Sequence, residues 1–157
     1  MKELTLKSTI QVAQYSELSD TERALIEKAK ESTYHAYAPY SNFHVGAAIL
    51  LKNGVIVPGC NQENAAFPSG LCAERSAIFA AGAQYPEQPV MMLAIAERDS
   101  KGEFLEEPAS PCGSCRQVII ETETRFQQPV RILLYGTKHT YIMDGIKQLM
   151  PLSFTSF

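Results

Sequence analysis

Two short stretches, Cys72–Arg75 (C-A-E-R) and Pro111–Cys115 (P-C-G-S-C), decide both the chemistry and the helical framework of this chain. Their cysteines Cys72, Cys112 and Cys115 can hold a zinc ion as thiolates and leave its fourth coordination position to water. Glu74 follows Cys72 by two residues, where its carboxylate can move the protons of that water. The two stretches therefore predict a hydrolytic zinc site with Glu74 as its acid and base.

Both stretches are predicted to open a helix. The alanine-rich pattern over 71–83 is helical and stops at Gly82 and Pro86, and Pro111 suits a first helical turn, which places the next helix at about 112–123. Helix N-termini carry partial positive charge and free N–H groups, which favour the thiolate form of cysteine. Two helix starts that face each other would make a metal cradle.

Strands and further helices surround this pair. The pattern Ser19-Asp20-Thr21-Glu22 is typical of a helix start, and Pro39 ends that first helix near Tyr37. Asn53 and Gly54 indicate a hairpin. The predicted strands are 45–51, 55–60, 90–96, 130–135 and a short edge strand at 141–143, followed by a short helix over 146–150. This order predicts an α/β fold of three layers, α/β/α, with a mixed sheet.

Length and composition limit the class of protein. The 157 residues suit one domain, 1–157, in which we assign no role to the N-terminal extension 1–18. The net charge is -3 with the basic residues scattered, which argues against polynucleotide binding. No apolar run is long enough to span a membrane, and the start is too polar for a signal peptide. Cysteine spacing of the C-x-x-C kind without a signal peptide favours metal binding in a reducing compartment, the cytoplasm.

Other motifs accompany the cysteines in order along the chain. They read N-F-x-V-G-A-A over 42–48, N-x-E-N-A over 61–65, S-P-C-G-S-C-R-Q over 110–117, and then Leu149, Met150, Pro151 and Phe154. From about Tyr34 to Phe154 the chain resembles the small, homotetrameric, zinc-dependent cytidine deaminases. It departs from them in the N-terminal extension and in a longer stretch between Gly82 and Pro111. The resemblance implies a five-stranded sheet, one zinc ion per chain, and deamination of cytidine and 2′-deoxycytidine with release of ammonia.

The resemblance also implies the substrate contacts. Asn61 and Glu63 would bind the ribose 3′-hydroxyl, and Phe43 would support or stack on the nucleoside. Main-chain groups near Ala73 and Ser110 would meet the edges of the ring. Phe154 would cover the pyrimidine bound by a neighbouring subunit, so that active sites are completed across a homotetramer.

Two arginines adjoin the zinc ligands in sequence. Three thiolates exceed the charge of Zn²⁺ by one, which weakens its ability to acidify water. Arg75 and Arg116 are candidates to donate hydrogen bonds to the sulfurs and relieve this excess.

Three other functions compete with this one. A closed structural zinc site in an interaction module needs a fourth protein ligand, and the possible donors Cys60, His35, His44 and His139 lack a usual ligand spacing. A deaminase of a related aminated ring, such as blasticidin S, is disfavoured by the N-x-E-N-A motif. A polynucleotide deaminase would need a basic strand-binding surface. A zinc assay combined with ammonia release from cytidine separates these functions.

Overall fold

A computed structural model describes residues 1–155, so the last two residues of the predicted domain, 156–157, lie outside the described part. One mixed sheet of six strands forms its centre, in the order β1-β6-β5-β4-β2-β3. The strands are β1 (Gln11–Ala13), β2 (His44–Leu51), β3 (Ile56–Cys60), β4 (Val90–Arg98), β5 (Arg131–Tyr135) and β6 (Thr140–Asp144). The helices are α1 (Asp20–Ser32), α2 (Ala73–Gln84) and α3 (Gly113–Phe126), with short 3-10 turns at Tyr15–Glu17, Thr33–His35, Phe67–Ser69 and Ile146–Gln148. Strands β4 and β5 pair in parallel, and the other neighbours pair antiparallel.

The predicted three layers are confirmed. Residues on one face of the sheet, such as Ala48 and Ala94, pack with Leu25 of α1. Their neighbours in the strands point to the other face, because side chains alternate along a strand. There Ile49 packs in a second core cluster with Ala77 of α2. Helix α3 contributes to the same cluster, so α2 and α3 cover the face opposite α1.

Helix α1 is shorter than predicted. It begins as expected, with Ser19 and Glu22 forming a reciprocal capping box. At its other end the Ser32 hydroxyl donates to the carbonyl of Lys28 at 2.8 Å and the Thr33 hydroxyl donates to that of Lys30 at 2.7 Å. These side chains supply alternative partners for the last helical carbonyls, and the chain tightens into the turn Thr33–His35 instead of continuing to Tyr37.

The sheet has one strand more than the resemblance implied. Strand β1 comes from the N-terminal extension and pairs with β6, Gln11 lying opposite Ile142. The prediction that residues 141–143 form an edge strand is therefore wrong, because β1 takes the edge and β6 lies inside it. Within residues 1–155, no helix is both long and apolar enough to cross a membrane.

Two glycines allow the helices to lie directly on the sheet. A Cβ atom at Gly46 would stand 2.0 Å from the carbonyl oxygen of Ala29 in α1. One at Gly59 would stand 2.5 Å from the main-chain nitrogen of Ala77 in α2. No side chain fits at such distances, so these positions set how closely α1 and α2 approach the strands.

Candidate metal centre

The fold brings the three predicted ligands together. Cys72 and Cys112 are the N-cap residues of α2 and α3, and Cys115 lies in the first turn of α3. Their three Sγ atoms all lie within 4.8 Å of one another. The two helix starts therefore face each other as the sequence predicts.

The donor set fits a zinc ion. The Sγ atoms of Cys72 and Cys112 are 3.7 Å apart, close to the separation of about 3.8 Å that two Zn–S bonds of about 2.3 Å make at a tetrahedral angle. No fourth His, Cys, Asp or Glu joins the cluster among residues 1–155. Three thiolates would thus hold zinc and leave one position open, which is the arrangement of a catalytic and not a structural site.

Hydrogen bonds favour the thiolate form at Cys72. Its pKa is lowered to about 5, first by the hydrogen bond from the Cys115 thiol and then by bonds from Arg75 and Cys112, against the opposing effect of burial. The bond to Cys72 and burial raise the pKa of Cys115, which makes Cys72 the first of the pair to ionise. The Arg75 guanidinium lies 3.5 Å from the Cys72 sulfur, which matches the contact predicted for it.

Arg116 has other partners. It donates from Nε to the carbonyl of Pro111 at 2.8 Å and from Nη1 to that of Leu149 at 2.6 Å. These bonds tie Pro111, just before Cys112, to the residue after the turn Ile146–Gln148. The side chain thereby positions the ligand loop through the main chain.

Glu74 lies in the first turn of α2 and is only 4% exposed. Burial is the main cause that raises its pKa, and the negative charge of Cys72 adds to the effect. A carboxyl group held in this way takes up a proton more readily than a solvated one does. Glu74 is therefore suited to accept a proton and return it.

A cavity of about 690 Å³ joins this cluster to most of the predicted substrate contacts. Its lining includes Cys72, Glu74 and Cys112 together with Phe43, Asn61, Glu63 and Ser110. Ala73 is fully buried beside it. Phe154 is 64% exposed and is not among the residues that line this cavity.

Asn61 and Glu63 are fixed by the main chain around them. The Asn61 amide donates to the carbonyl of Phe43 and accepts from the N–H of Val45, both at 2.9 Å. Glu63 accepts from the N–H of Tyr40 at 2.8 Å and from the Ser41 hydroxyl. The Ser41 hydroxyl is the main cause that lowers the pKa of Glu63, so the side chain remains a carboxylate, a hydrogen-bond acceptor.

Among the cavity residues that the sequence did not indicate, Glu97 carries a buried carboxyl group. It is 3% exposed at the end of β4, one residue beyond the predicted strand 90–96. The missed signal was its spacing: Leu93, Ile95 and Glu97 share one strand face, so a charged residue continues a buried apolar row.

Comparison with known proteins gives one consistent result. Residues 19–127 match the model of the cytidine and deoxycytidylate deaminase zinc-binding region, and this range contains the three predicted zinc ligands. A cytidine deaminase of Sporosarcina psychrophila is 44% identical over 97 residues, which cover 62% of this chain and 66% of that protein. One of Halalkalibacterium halodurans is 40% identical over 132 residues, 84% of this chain and 92% of that protein. The crystal structure of the Burkholderia pseudomallei cytidine deaminase superposes with a TM-score of 0.72 and 35% identity, over 87% of this chain and 100% of that one.

Proposed function

This chain belongs to the cytidine deaminase family, and from that premise we propose that it deaminates cytidine and 2′-deoxycytidine to uridine and 2′-deoxyuridine, releasing ammonia. The observation that carries the proposal is the buried Glu74 carboxyl, which shares one cavity with the three-thiol zinc cluster. A purely structural zinc site has no need of such a carboxyl group.

Glu74 is the acid and base of the proposed reaction. When zinc is bound, it lowers the pKa of a water molecule and so supplies a nucleophile at neutral pH. Glu74 passes one proton to N3 of the ring, which makes C4 more electrophilic, and a second proton to the amine that leaves. Both protons come from the water molecule. Glu74 therefore transfers a proton twice in each cycle and is a carboxylate again at its end.

Main-chain groups hold the edges of the ring in this proposal. Ala73 is the first residue of α2, where helical N–H groups lack a partner within the helix, and such a donor suits the ring carbonyl. The amine of cytidine is a donor and needs an acceptor, for which the Ser110 main-chain carbonyl in the cavity wall is suited. Opposite polarities at the two edges would orient the ring with C4 toward the thiols.

The sugar would lie against Asn61 and Glu63. Glu63 is a carboxylate whose position is already fixed by Tyr40 and Ser41, so it can accept from the 3′-hydroxyl with little loss of side-chain freedom. Phe43 offers an apolar face in the same cavity. A site built to bind a hydroxyl rejects a substrate without it by as much as about 10⁴- to 10⁵-fold.

We also propose a homotetramer whose sites are completed by a neighbouring subunit's Phe154. The support is twofold: Phe154 lies outside the cavity of its own subunit, and several other large aromatic side chains are exposed. These are Tyr34, Tyr37, Tyr40, Phe67 and Phe79. Exposed aromatic side chains are typical of surfaces that bind another protein.

The substrate is proposed to be a free nucleoside and not a polynucleotide, since the net charge is -3. We regard 1–157 as one catalytic domain. The reducing cytoplasm is its proposed compartment, because ligand cysteines must stay reduced to hold zinc.

The test is ammonia release from cytidine by zinc-loaded protein, with Glu74→Gln as the matched variant. We expect the variant to keep one zinc ion per chain and the fold, and to lose turnover by several orders of magnitude, since only proton transfer is removed. Near-normal turnover in Glu74→Gln would contradict the acid–base role.

The sugar contacts are tested with four compounds: cytidine, deoxycytidine, 2′,3′-dideoxycytidine and free cytosine. Dideoxycytidine should be much poorer than deoxycytidine with wild type, and the difference should shrink in Glu63→Ala. If Glu63→Ala left that ratio unchanged, or if wild type used cytosine as well as cytidine, the ribose assignment would be wrong.

A further inference from the structure

Glu97 is a buried carboxyl group for which the proposed mechanism has no use. It lines the same cavity as Glu74, and its Oε2 atom has no hydrogen-bond partner among residues 1–155. A buried polar atom without a partner destabilises the folded state, so its presence in a cavity calls for a ligand that supplies the partner.

Glu97 also holds the segment that leads to Ser110. Its main-chain carbonyl accepts from the N–H of Leu105 at 3.2 Å, and its carboxyl group accepts from the N–H of Ala109. Ala109 directly precedes Ser110, whose carbonyl we propose to hold the substrate amine. The unpaired oxygen of Glu97 therefore lies beside the segment against which the amine would rest.

The charge around Glu97 determines what its free oxygen can do. Helix α2 presents Glu74 to it, with Cys72 and Arg75 in the same cavity wall, and Cys112 lies at the start of α3. From β2, Val45 lies opposite Glu97, and the segment before Ser110 presents the main chain of Ala109. Burial, and then the charge of Glu74, raises the pKa of Glu97 to about 8. Glu97 thus carries a proton at neutral pH, and because Ala109 donates to the carboxyl group, the unpaired O–H is a donor without an acceptor.

We propose that Glu97 is a further catalytic residue, whose free oxygen donates a hydrogen bond to the substrate's amine nitrogen once C4 becomes tetrahedral. This inference rests on the proposed function. In cytidine the lone pair of the amine is delocalised into the ring and accepts poorly, whereas at a tetrahedral C4 the lone pair is localised and accepts well. Glu97 keeps its proton throughout, and the leaving amine takes its last proton from Glu74, so the overall reaction stays balanced. An interaction present only after the ring is attacked raises kcat and leaves KM nearly unchanged.

The test compares Glu97→Leu with Glu97→Gln in cytidine turnover at pH 7. Leucine removes the donor, and we expect kcat to fall roughly 10²-fold, as for the loss of one well-placed transition-state donor, with KM within about threefold. Glutamine keeps an acceptor for Ala109 and a neutral N–H donor, so the kcat of Glu97→Gln should be at least about tenfold higher than that of Glu97→Leu. Asp99→Ala is the control, because Asp99 shapes the same segment through the N–H groups of Lys101 and Glu103 but does not line the cavity that holds Glu74. It should leave kcat unchanged.

The pH dependence of kcat distinguishes a catalytic role of Glu97 from a purely structural one. The donor is present below the pKa of Glu97 and is lost above it, so wild-type kcat should fall above about pH 8, whereas Glu97→Gln, which cannot ionise there, should show no such fall. Zinc content and Tm are measured for each variant. If Glu97→Leu fails to fold, the comparison of wild type with Glu97→Gln decides.

Wild-type kcat in Glu97→Leu, or the same alkaline fall in Glu97→Gln as in wild type, would overturn the role of Glu97 alone. Wild-type protein that released no ammonia from cytidine would overturn the proposed function, and this inference with it.

Discussion

Substitution of Gly59 by alanine should weaken zinc binding without touching a ligand. The added Cβ would stand 2.5 Å from the nitrogen of Ala77 and 2.6 Å from the carbonyl oxygen of Ala73, about 0.9 Å inside the distance of ordinary contact, 3.4 Å. Both are main-chain atoms of α2, so the helix as a whole must move away from β3. Cys72 caps that helix and moves with it, while Cys112 and Cys115 stay on α3.

The magnitude follows from the strain. Overpacking of this kind costs about 1 to 3 kcal/mol. Without zinc, α2 can relieve the strain by moving outward, but bound zinc requires Zn–S distances within about 0.2 Å of their usual value. The strain therefore appears as lost zinc affinity, roughly 5- to 150-fold.

Gly82→Ala is the matched control, because Gly82 lies in the same helix and its Cβ would meet no atom within 4 Å. That variant should bind zinc like wild type and gain about 0.5 to 1 kcal/mol of stability from the lower backbone entropy of alanine. The assay is zinc competition with a chromophoric chelator, with thermal unfolding measured with and without zinc. Wild-type zinc affinity in Gly59→Ala would show that the close approach of α2 to β3 at Gly59 does not control the position of Cys72.

Four further outcomes are expected. Cys112→Ala should lose zinc, activity and thermal stability together, since metal binding contributes to folding; full zinc occupancy by metal analysis would contradict the ligand assignment. Arg75→Gln should keep zinc but turn over more slowly, because a thiolate loses its donor; an unchanged kcat would exclude that role. Deletion of residues 1–13 should lower Tm and promote self-association seen by light scattering, because it bares the edge of β6; a wholly unaffected protein would contradict this. The pKa of Glu97 is about 8 in the folded protein against the ordinary value of 4.5. Its contribution to the free energy of unfolding is therefore fully present below pH 4.5 and is lost as the pH rises to 8. Glu97→Gln should flatten the fall in the stability of the zinc-free protein over that range.

The parts of the fold with local causes could be predicted from sequence. The capping box at Ser19 and the turn at Asn53-Gly54 are decided by neighbouring residues, and both occur, Gly54 with φ of 85°. The helix starts and the Cys112–Cys115 spacing are also local, whereas the meeting of Cys72 with Cys112, 40 residues away, could be expected only from the known signature of zinc deaminases. The resemblance added Phe43, Asn61, Glu63 and Ser110, which line one cavity with Cys72 and Glu74.

Other features depend on distant parts of the chain. Strand β1 is three residues long and exists only because β6 offers an open edge, which no local pattern around Gln11 reveals. The direction of Arg116 depends on where the carbonyl of Leu149 comes to lie. Glu97 appears from sequence to be an ordinary charged residue after a strand, and its significance arises from the burial that α2 and the Ala109 segment impose.

Pairing of the first strand with the last has a consequence for synthesis of the protein. The ribosome adds about 5 to 20 residues per second, so Gln11–Ala13 emerges many seconds before Thr140–Asp144 has been made. During that interval the leading segment has no partner, and closing so long a loop is slow. Docking of β1 can thus complete the sheet only on a nearly full-length polypeptide, and a nascent chain released early would keep its first residues accessible to proteases.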